Sequence, residues 1–285
     1  MANRKRARKQ NNIESEFYVD DSCIDCGTCY WMAPNTFKRD ELQSIAYSKI
    51  ENEKQRISAQ NALLSCPTNS IGITTQIRPS PTLPSLISKN VYHLGFHSER
   101  SFGGTPYYIN DYGGVMIDCP RFNPKTIQHL RERQGLKYQL LTHKDGIADS
   151  DQYHREFNSS RIIHIGDQCN KAMDWERYLS GEDDIEIEHN LLAIPTPGHT
   201  KGSVCYLYQN KFLFAGDHLC FSRNLGHLIG FKNHCWYSNE KLITSMEKLL
   251  NYDFEWVLPE HGAPYHASTD QMKSEIETCL KYLKN

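Results

Sequence analysis

The pattern of hydrophobic and polar positions divides the chain into a short N-terminal part and a longer C-terminal part. In the N-terminal part, EFYVD and SIGITT alternate in the manner of short strands. Between them, NEKQRISAQNALL places Ile57, Ala62 and Leu63 near one face of a helix. These elements predict a small α+β unit.

The C-terminal part mixes predicted strands with predicted helices. Apolar runs in TPYYI, GGVMID, KYQLLTH, RIIHI, SVCYLY and KFLFAG predict strands, and Gln209-Asn210 between the last two predicts a tight hairpin turn. Asn123-Pro124 caps a helix that contains TIQHLRERQ, and Ser268 begins a final amphipathic helix that ends near Lys284. The order is neither all-β nor purely βαβ, so this part is also predicted to be α+β.

A proline-rich stretch separates the two parts. QIRPSPTLPS, at residues 76–85, carries Pro79, Pro81 and Pro84, which disfavour helix and central strand and favour a stiff, extended connection. We therefore predict four segments, namely a basic disordered tail at 1–15, a first domain at 16–76, a linker at 77–88 and a second domain at 89–285.

Composition and charge narrow the class of protein. The 285 residues carry 32 basic and 34 acidic side chains, and MANRKRARKQ holds five of the positive charges, so the basic character is confined to the tail. Such a tail could touch nucleic acid or acidic lipid, but a solvated end is favoured, so neither a nucleic-acid nor a membrane partner is expected. No apolar run approaches the length of a membrane span. Ten cysteines without a signal peptide indicate a reducing compartment, and a cytoplasmic protein is expected.

Four cysteines form the strongest chemical motif. CIDCGTC supplies Cys23, Cys26 and Cys29, and Cys66 follows 37 residues later, directly before Pro67. Thiolates two residues apart converge on one iron–sulfur cluster because the backbone wraps around it, and a distant cysteine closes the coordination. A zinc site would more often show two separated Cys-x2-Cys pairs. The other six cysteines have no ligand spacing and are predicted to be small core thiols, namely Cys119, Cys169, Cys205, Cys220, Cys235 and Cys279.

The cysteine motif resembles the single-cluster bacterial ferredoxin family over roughly residues 16–76, including the downstream Pro34. All four ligand positions are present. The resemblance implies one 4Fe-4S cluster held by Cys23, Cys26, Cys29 and Cys66, and one-electron transfer with a redox partner protein.

A second set of motifs lies in the C-terminal part. From residue 91 onward, GGVMID, LLTH, TPGHTKGS, FAGDH and LPEHG resemble the metallo-β-lactamase superfamily in content and order. The resemblance implies a four-layer αββα sandwich. It also implies metal ligands at His143, His199, Asp217 and His261.

The first motif of that superfamily, HxHxDH, is altered here. Aligned at His143, the chain has Asp145 at the second histidine position, and Ile147 and Ala148 replace the aspartate and histidine that serve a second metal. At most one ion is therefore expected, held by His143, Asp145, His199 and Asp217, with His261 left from the second position. Two imidazoles with carboxylates favour iron or manganese over zinc.

Alternatives to this metal site stay open in the sequence. The polar residues could hydrogen-bond to one another without any ion, as in a drifted enzyme. A substitute ligand could come from Asp149, His164 or Asp167. His218, beside Asp217, is predicted to point away from the site. The remaining histidines have no comparable context and are predicted to be surface or core residues, namely His93, His97, His129, His154, His189, His227, His234 and His266.

Three functions fit this combination of motifs. The preferred hypothesis is a redox protein in which the cluster serves a modified metal centre that acts on an unknown small molecule, because hydrolysis needs no electrons. Flavodiiron proteins, which place iron in the same fold, offer an analogy. The alternatives are a metal-dependent hydrolase of an ester, thioester or phosphoester with a structural or regulatory cluster, and a non-catalytic ferredoxin with a metal-free docking domain.

Overall fold

A computed structural model describes residues 2–7, 12, 14–74, 82–168 and 174–285. Its N-terminal unit holds two short helices and two two-stranded sheets. In one sheet the first and fourth strands pair antiparallel, and the other is a hairpin of the second and third. The elements are β1 (Phe17–Val19), α1 (Thr28–Met32), β2 (Phe37–Asp40), β3 (Gln43–Ala46), α2 (Glu53–Ser65) and β4 (Ile71–Ile73).

The C-terminal unit begins with a seven-stranded mixed sheet. Its strands follow one another in sequence order across the sheet, with parallel pairing among the last four. They are β5 (Ser85–Ser88), β6 (Val91–His93), β7 (Tyr107–Ile109), β8 (Val115–Ile117), β9 (Tyr138–Leu140), β10 (Ser160–His164) and β11 (Arg177–Leu179).

A second sheet of six strands packs on the first. The strands are β12 (Ile185–Glu188), β13 (Leu191–Pro195), β14 (Val204–Tyr208), β15 (Phe212–Gly216), β18 (Trp256–Pro259) and β19 (Tyr265–His266). Between β15 and β18 the chain forms a separate hairpin, β16 (Cys220–Ser222) with β17 (His227–Ile229).

Helices cover both outer faces of the sheet pair. They are α3 (Pro124–Arg131), α4 (Ser150–Phe157), α5 (Asn239–Leu249) and α6 (Thr269–Lys284). Leu130 of α3 and Tyr153 of α4 pack against the first sheet, whereas Met246 of α5 and Ile276 of α6 pack against the second. The predicted four-layer αββα sandwich is confirmed.

Period-two alternation in the strands builds the cores. Val115 and Ile117 of β8 face the layer between the sheets, while Met116 faces the helices. In β14, Tyr206 faces the layer between the sheets and Cys205 faces α5 and α6. Because alternate side chains of a strand point to opposite faces, each of these strands contributes to two cores.

The structure differs from the sequence-based expectations in several places. Ser85–Ser88, within the predicted linker, forms edge strand β5. Residues 75–81, with Pro79 and Pro81, lie outside the described residues. In α2 the fully buried positions include Ala59 and Ala62, while Ile57 and Leu63 are only partly buried, because small residues face the cysteine loop.

Part of the predicted disordered tail is ordered against the N-terminal unit. The backbone N–H of Asn3 donates to Asp20 at 2.8 Å, and Arg6 pairs with Asp21 at 2.6 Å. The carboxylates at the end of β1 therefore provide partners for the basic segment. None of the helices within the described residues combines the length and the hydropathy that a bilayer-spanning segment requires.

Candidate metal centres

The four motif cysteines lie in one region of the N-terminal unit. Cys29 is in α1, Cys66 ends α2, and both belong to the unit's hydrophobic core together with Cys23. Gly27 precedes α1 with φ +86°, a conformation that glycine adopts without strain. The spacing of the motif thus brings four thiols to one place, with Cys29 and Cys66 buried and Cys23 and Cys26 half-buried.

The surroundings of these thiols suit an iron–sulfur cluster. Backbone N–H groups approach two of the sulfurs, from Ser44 to Cys23 Sγ at 3.4 Å and from Ser70 to Cys66 Sγ at 3.2 Å. Burial raises the pKa of Cys26 to about 11, so a free thiol there would stay protonated. Iron binds thiolates, and N–H donors to sulfur stabilise the negative charge of a bound cluster.

A second group of ligand-type atoms lies at the carboxyl ends of the sandwich strands. Nε2 of His143 is 3.7 Å from the carboxylates of both Asp145 and Asp217, and Nε2 of His199 is also 3.7 Å from each. Two ligands bound to one tetrahedral ion at about 2.0–2.2 Å are roughly 3.3–3.6 Å apart. The ligand atoms of His143, Asp145 and His199 lie within 4.8 Å of one another, as do those of His143, Asp217 and Glu260, so these side chains suit a metal ion.

The imidazole nitrogens that face this position lack other partners. Nε2 of His143 and Nε2 of His199 are buried and have no hydrogen bond among the described residues. The opposite nitrogen of each ring is held, because His199 Nδ1 donates to His234 O at 2.6 Å and His143 Nδ1 donates to Thr142 Oγ1 at 3.0 Å. Metal-binding histidines are oriented in this way, with one nitrogen fixed and the other directed to the ion. The residues fit a metal.

One side of the position opens to solvent. The side chain of Asp145 is 48% exposed, whereas His143, His199 and Asp217 are between 1% and 11% exposed. A small molecule can therefore approach beside Asp145, and the other three residues close the remaining sides.

The residues at the former second-metal position face away from this site. Ile147 packs on a core cluster that contains Leu141, and Ala148 packs on the core under α3 and α4. His261 donates from Nδ1 to Asp217 at 2.8 Å and so orients a carboxylate of the first position. These three positions do not form a second group of metal ligands.

The proposed substitute ligands have other partners. Asp149 accepts hydrogen bonds from Arg100 and from the N–H of Phe122. His164 contacts Gly181 O through Nε2 and accepts from Gly166 N through Nδ1. Asp167 accepts from Lys144 N, Thr200 Oγ1 and Gly202 N, and so fixes the turn that carries His199.

Comparisons with known proteins identify both parts. Residues 19–73 match the family described as the 4Fe-4S single cluster domain of Ferredoxin I. The chain is 34% identical over 174 residues to a hydroxyacylglutathione hydrolase of Rhizobium meliloti, covering 56% of this chain and 66% of that protein. A hydroxyacylglutathione hydrolase of Bartonella henselae is 33% identical over 126 residues, 39% of this chain and 45% of that protein. The crystal structure of DIM-1 metallo-β-lactamase superposes with a TM-score of 0.52 at 20% identity, covering 68% of this chain and 95% of that one.

The chain combines a ferredoxin-like 4Fe-4S domain with a metallo-β-lactamase superfamily domain. We call residues 19–73 the cluster domain and residues 82–285 the lactamase-fold domain. The matched regions span about half to two thirds of the length of the two hydrolases. The likeness to DIM-1 concerns the fold alone.

The two centres lie on either side of one loop of the lactamase-fold domain, residues 98–104, which we call the junction loop. At Gly103, φ is +85° and a Cβ atom would lie 2.8 Å from Cβ and 2.9 Å from Sγ of Cys26. The neighbouring Phe102 ring lies 6.2 Å, centroid to centroid, from the ring of His261. The junction loop thus contacts a cluster ligand and the histidine that orients Asp217.

Two buried acids beside the second group of ligands were not among the residues predicted from the sequence. Glu260 is 1% exposed, and burial, followed by the charges of Asp118 and Asp217, raises its pKa well above the usual range. Asp118, whose pKa burial raises to about 7, accepts from the N–H of Thr142 and so anchors the residue before His143. Both acids lie inside quoted motifs, GGVMID and LPEHG, but a pattern of ligands does not identify the residues that orient them.

Five of the six remaining cysteines lie within the described residues. As predicted for core thiols, four are buried: Cys119, Cys205, Cys220 and Cys279. Cys235 is half-buried and contacts Gly198 O through Sγ, and Cys169 lies outside the described residues.

Proposed function

We propose that this chain is a redox protein in which a 4Fe-4S cluster exchanges single electrons with one metal ion of the lactamase-fold domain. His143, Asp145, His199 and Asp217 would hold that ion. The observation that carries the proposal is the junction loop, because Gly103 lies against Cys26 and Phe102 lies against His261. A cluster with a purely structural role would not need to lie beside the second centre.

The junction loop offers a short connection between the centres. It leads from Cys26 through Gly103 and Phe102 to His261, whose Nδ1 bonds to Asp217. The backbone N–H of Thr105 also donates to Glu260 O at 2.8 Å, which ties the end of the loop to the strand that carries the second site. Since electron transfer slows steeply with distance, packing of this kind favours exchange within one chain.

The ligand set favours a redox-active ion. Two imidazoles and two carboxylates suit iron or manganese, both of which change oxidation state by one electron, whereas zinc does not. The electron would come from a one-electron donor protein, and the cluster would return to its oxidised form when the electron moves on.

The chain's own residues prepare the site for a small-molecule substrate. His234 O and Thr142 Oγ1 hold the two imidazoles in orientation, and the solvent-exposed side of Asp145 leaves one approach open. Burial of His143 and His199 keeps water from the other sides.

A second candidate function is thioester hydrolysis. The similarity to two proteins named hydroxyacylglutathione hydrolase favours it, and a bound ion can lower the pKa of water toward 7. Ile147 and Ala148 speak against it, because the superfamily motif places an aspartate and a histidine at these positions.

A metal inventory tests the proposal. Anaerobically reconstituted protein should contain four cluster irons and at most one further ion, iron or manganese ahead of zinc. His199→Ala should lose the further ion and keep the cluster, Cys66→Ala should lose the cluster and keep the ion, and the exposed control His189→Ala should keep both. Two further ions per chain, or zinc retained against an excess of iron, would contradict the proposal.

The same preparations distinguish the hydrolase. Turnover of a glutathione thioester by zinc-loaded protein, abolished in His199→Ala and unaffected by reduction of the cluster, would support hydrolysis instead. We expect no such turnover above the level of His199→Ala.

A further inference from the structure

A buried pair of histidines joins the lactamase-fold domain to the cluster domain. His93 and His97 are 5% and 0% exposed, and their Nε2 atoms are 2.8 Å apart. The indole of Trp31, in α1 of the cluster domain, lies 5.5 Å from the His93 ring and 6.4 Å from the His97 ring. Neither histidine belongs to the second centre.

The hydrogen bonds of this pair have one consistent direction. Gly103 O only accepts, so His97 Nδ1, at 2.8 Å, carries the proton and donates to it. Burial lowers the pKa of His97 well below its usual range and that of His93 to about 3, so both rings are neutral. His97 Nε2 is therefore an acceptor, and His93 Nε2–H donates to it.

The hydrogen-bonded series continues from His97 to a hydroxyl of the cluster domain. Thr28 is 2% exposed, and its Oγ1 lies 3.1 Å from His97 Nδ1, 3.3 Å from Gly103 O and 3.4 Å from Cys26 Sγ. Gly103 O has two lone pairs, so it accepts from the His97 N–H and can also accept from the Thr28 hydroxyl. The hydroxyl proton therefore has two acceptors within reach, Gly103 O and the sulfur, and the charge of the sulfur decides between them.

Cluster binding makes Cys26 Sγ an acceptor for the Thr28 hydroxyl proton. A cysteine that ligates iron has no proton and carries negative charge, so Cys26 Sγ can only accept, and a hydrogen bond to a charged acceptor is stronger than one to a neutral carbonyl.

We infer that His97 and Thr28, one from each domain, set the reduction potential of the cluster through a hydrogen bond to Cys26 Sγ. Thr28 donates the bond and His97 is the positioning residue, held in turn by His93. Hydrogen bonds to cluster sulfurs stabilise the reduced, more negative state and raise the potential. The inference rests on the presence of the cluster and does not depend on electron exchange with the second centre.

The test is a redox titration of the full chain, monitored by the EPR signal of the reduced cluster. Thr28→Val, which removes the hydroxyl at nearly constant shape, should shift the midpoint potential to a more negative value. Thr28→Ser should restore it. Iron content and the visible spectrum verify that each variant holds its cluster.

Two substitutions at His97 isolate the positioning role. His97→Leu removes the N–H that donates to Gly103 O. The substitution should lower the potential, because Gly103 O then competes more strongly with the sulfur for the Thr28 proton. His97→Asn keeps an N–H at the same place and should stay near the parent, although both variants deprive His93 of its acceptor. Combined with Thr28→Val, His97→Leu should cause no further shift, because coupled residues are not additive.

Three results would overturn the inference. The first is an unchanged potential in Thr28→Val with an intact cluster, and the second is an equal shift from His97→Leu with and without Thr28→Val. If Thr28→Val cannot hold its cluster, the two His97 variants are compared instead. Equal midpoint potentials of His97→Leu and His97→Asn would show that His97 does not position the Thr28 hydroxyl.

Discussion

Individual side chains give the second centre its ligand geometry. His143 Nδ1 is held by Thr142 Oγ1 and His199 Nδ1 by His234 O, and the Nε2 atom of each ring lies 3.7 Å from the carboxylates of Asp145 and Asp217. His261 donates from Nδ1 to Asp217, and its Nε2 is buried without a hydrogen-bond partner among the described residues. Because Ile147 and Ala148 are apolar, we expect this histidine to lack the companions that a second ion would need.

The ligand types could be predicted from the sequence, but their orientation could not. The motif positions of His143, His199 and Asp217 were recognisable from TPGHTKGS and FAGDH, and the structure brings their ligand atoms together. His143 Nδ1 donates to the adjacent Thr142 Oγ1, which is itself fixed by Asp118, and His199 Nδ1 donates to the carbonyl of His234. The contacts with Asp118 and His234 depend on the packed tertiary structure and leave no local pattern.

Gly103 gives a test of the contact between the domains. In Gly103→Ala the left-handed backbone should cost about 1–2 kcal/mol and the overlap with Cys26 a further 1–3 kcal/mol or so. Gly181→Ala is the matched control, because φ there is +86° and nothing lies within 4 Å of the added Cβ. Thermal unfolding and loss of cluster absorbance should therefore occur at a clearly lower temperature in Gly103→Ala than in Gly181→Ala. Equal effects of the two substitutions would mean that Gly103 is not packed against the cluster ligand.

Secondary-structure elements were predictable where their patterns are local. TPYYI, GGVMID and SVCYLY each contain the strand that the alternation predicted, and Ser268 caps α6 as expected. Strand β5 was not predicted, because Pro84 precedes it. It is an edge strand that pairs with β6 on one side only. An edge strand needs fewer intrinsic strand signals than a central one, since it pairs on one side only.

Two arginines of the lactamase-fold domain hold the helices of the cluster domain by their C-terminal ends. Arg121 donates to Leu64 O at 2.5 Å and to Cys66 O at 3.0 Å, at the end of α2. Arg223 donates to Tyr30 O and Trp31 O, in the last turn of α1. Cations at these positions satisfy terminal carbonyls and complement the helix dipole.

Substitution of Arg121 should loosen the cluster domain. In Arg121→Met the carbonyls of Leu64 and Cys66 lose a charged donor, at a cost of about 2–4 kcal/mol. Bleaching of the cluster on heating should then precede unfolding of the sandwich. Arg131→Met is the control, because Arg131 is an exposed residue that pairs with Glu156 and should contribute less than about 1 kcal/mol. Identical bleaching temperatures for the two variants would rule out Arg121 as an anchor.

At the scale of the whole molecule, the main finding is the placement of the two centres on either side of residues 98–104. The sequence indicated both centres but not their proximity, because a sequence pattern does not specify how one domain packs on another. Arg121, Arg223, Thr28 and Gly103 together seat the cluster domain on the carboxyl end of the sandwich, where the second centre lies.

Rapid mixing under anaerobic conditions tests electron exchange between the centres most directly. Protein with iron in the second site is mixed with less than one equivalent of reductant, and the cluster absorbance and the ferric EPR signal are followed together. The account predicts that the cluster is reduced first and is then reoxidised as the ferric signal is lost, one for one, at a rate independent of protein concentration. His199→Ala should leave the cluster reduced. A cluster that stays reduced beside an unchanged ferric ion in the parent protein would contradict the account.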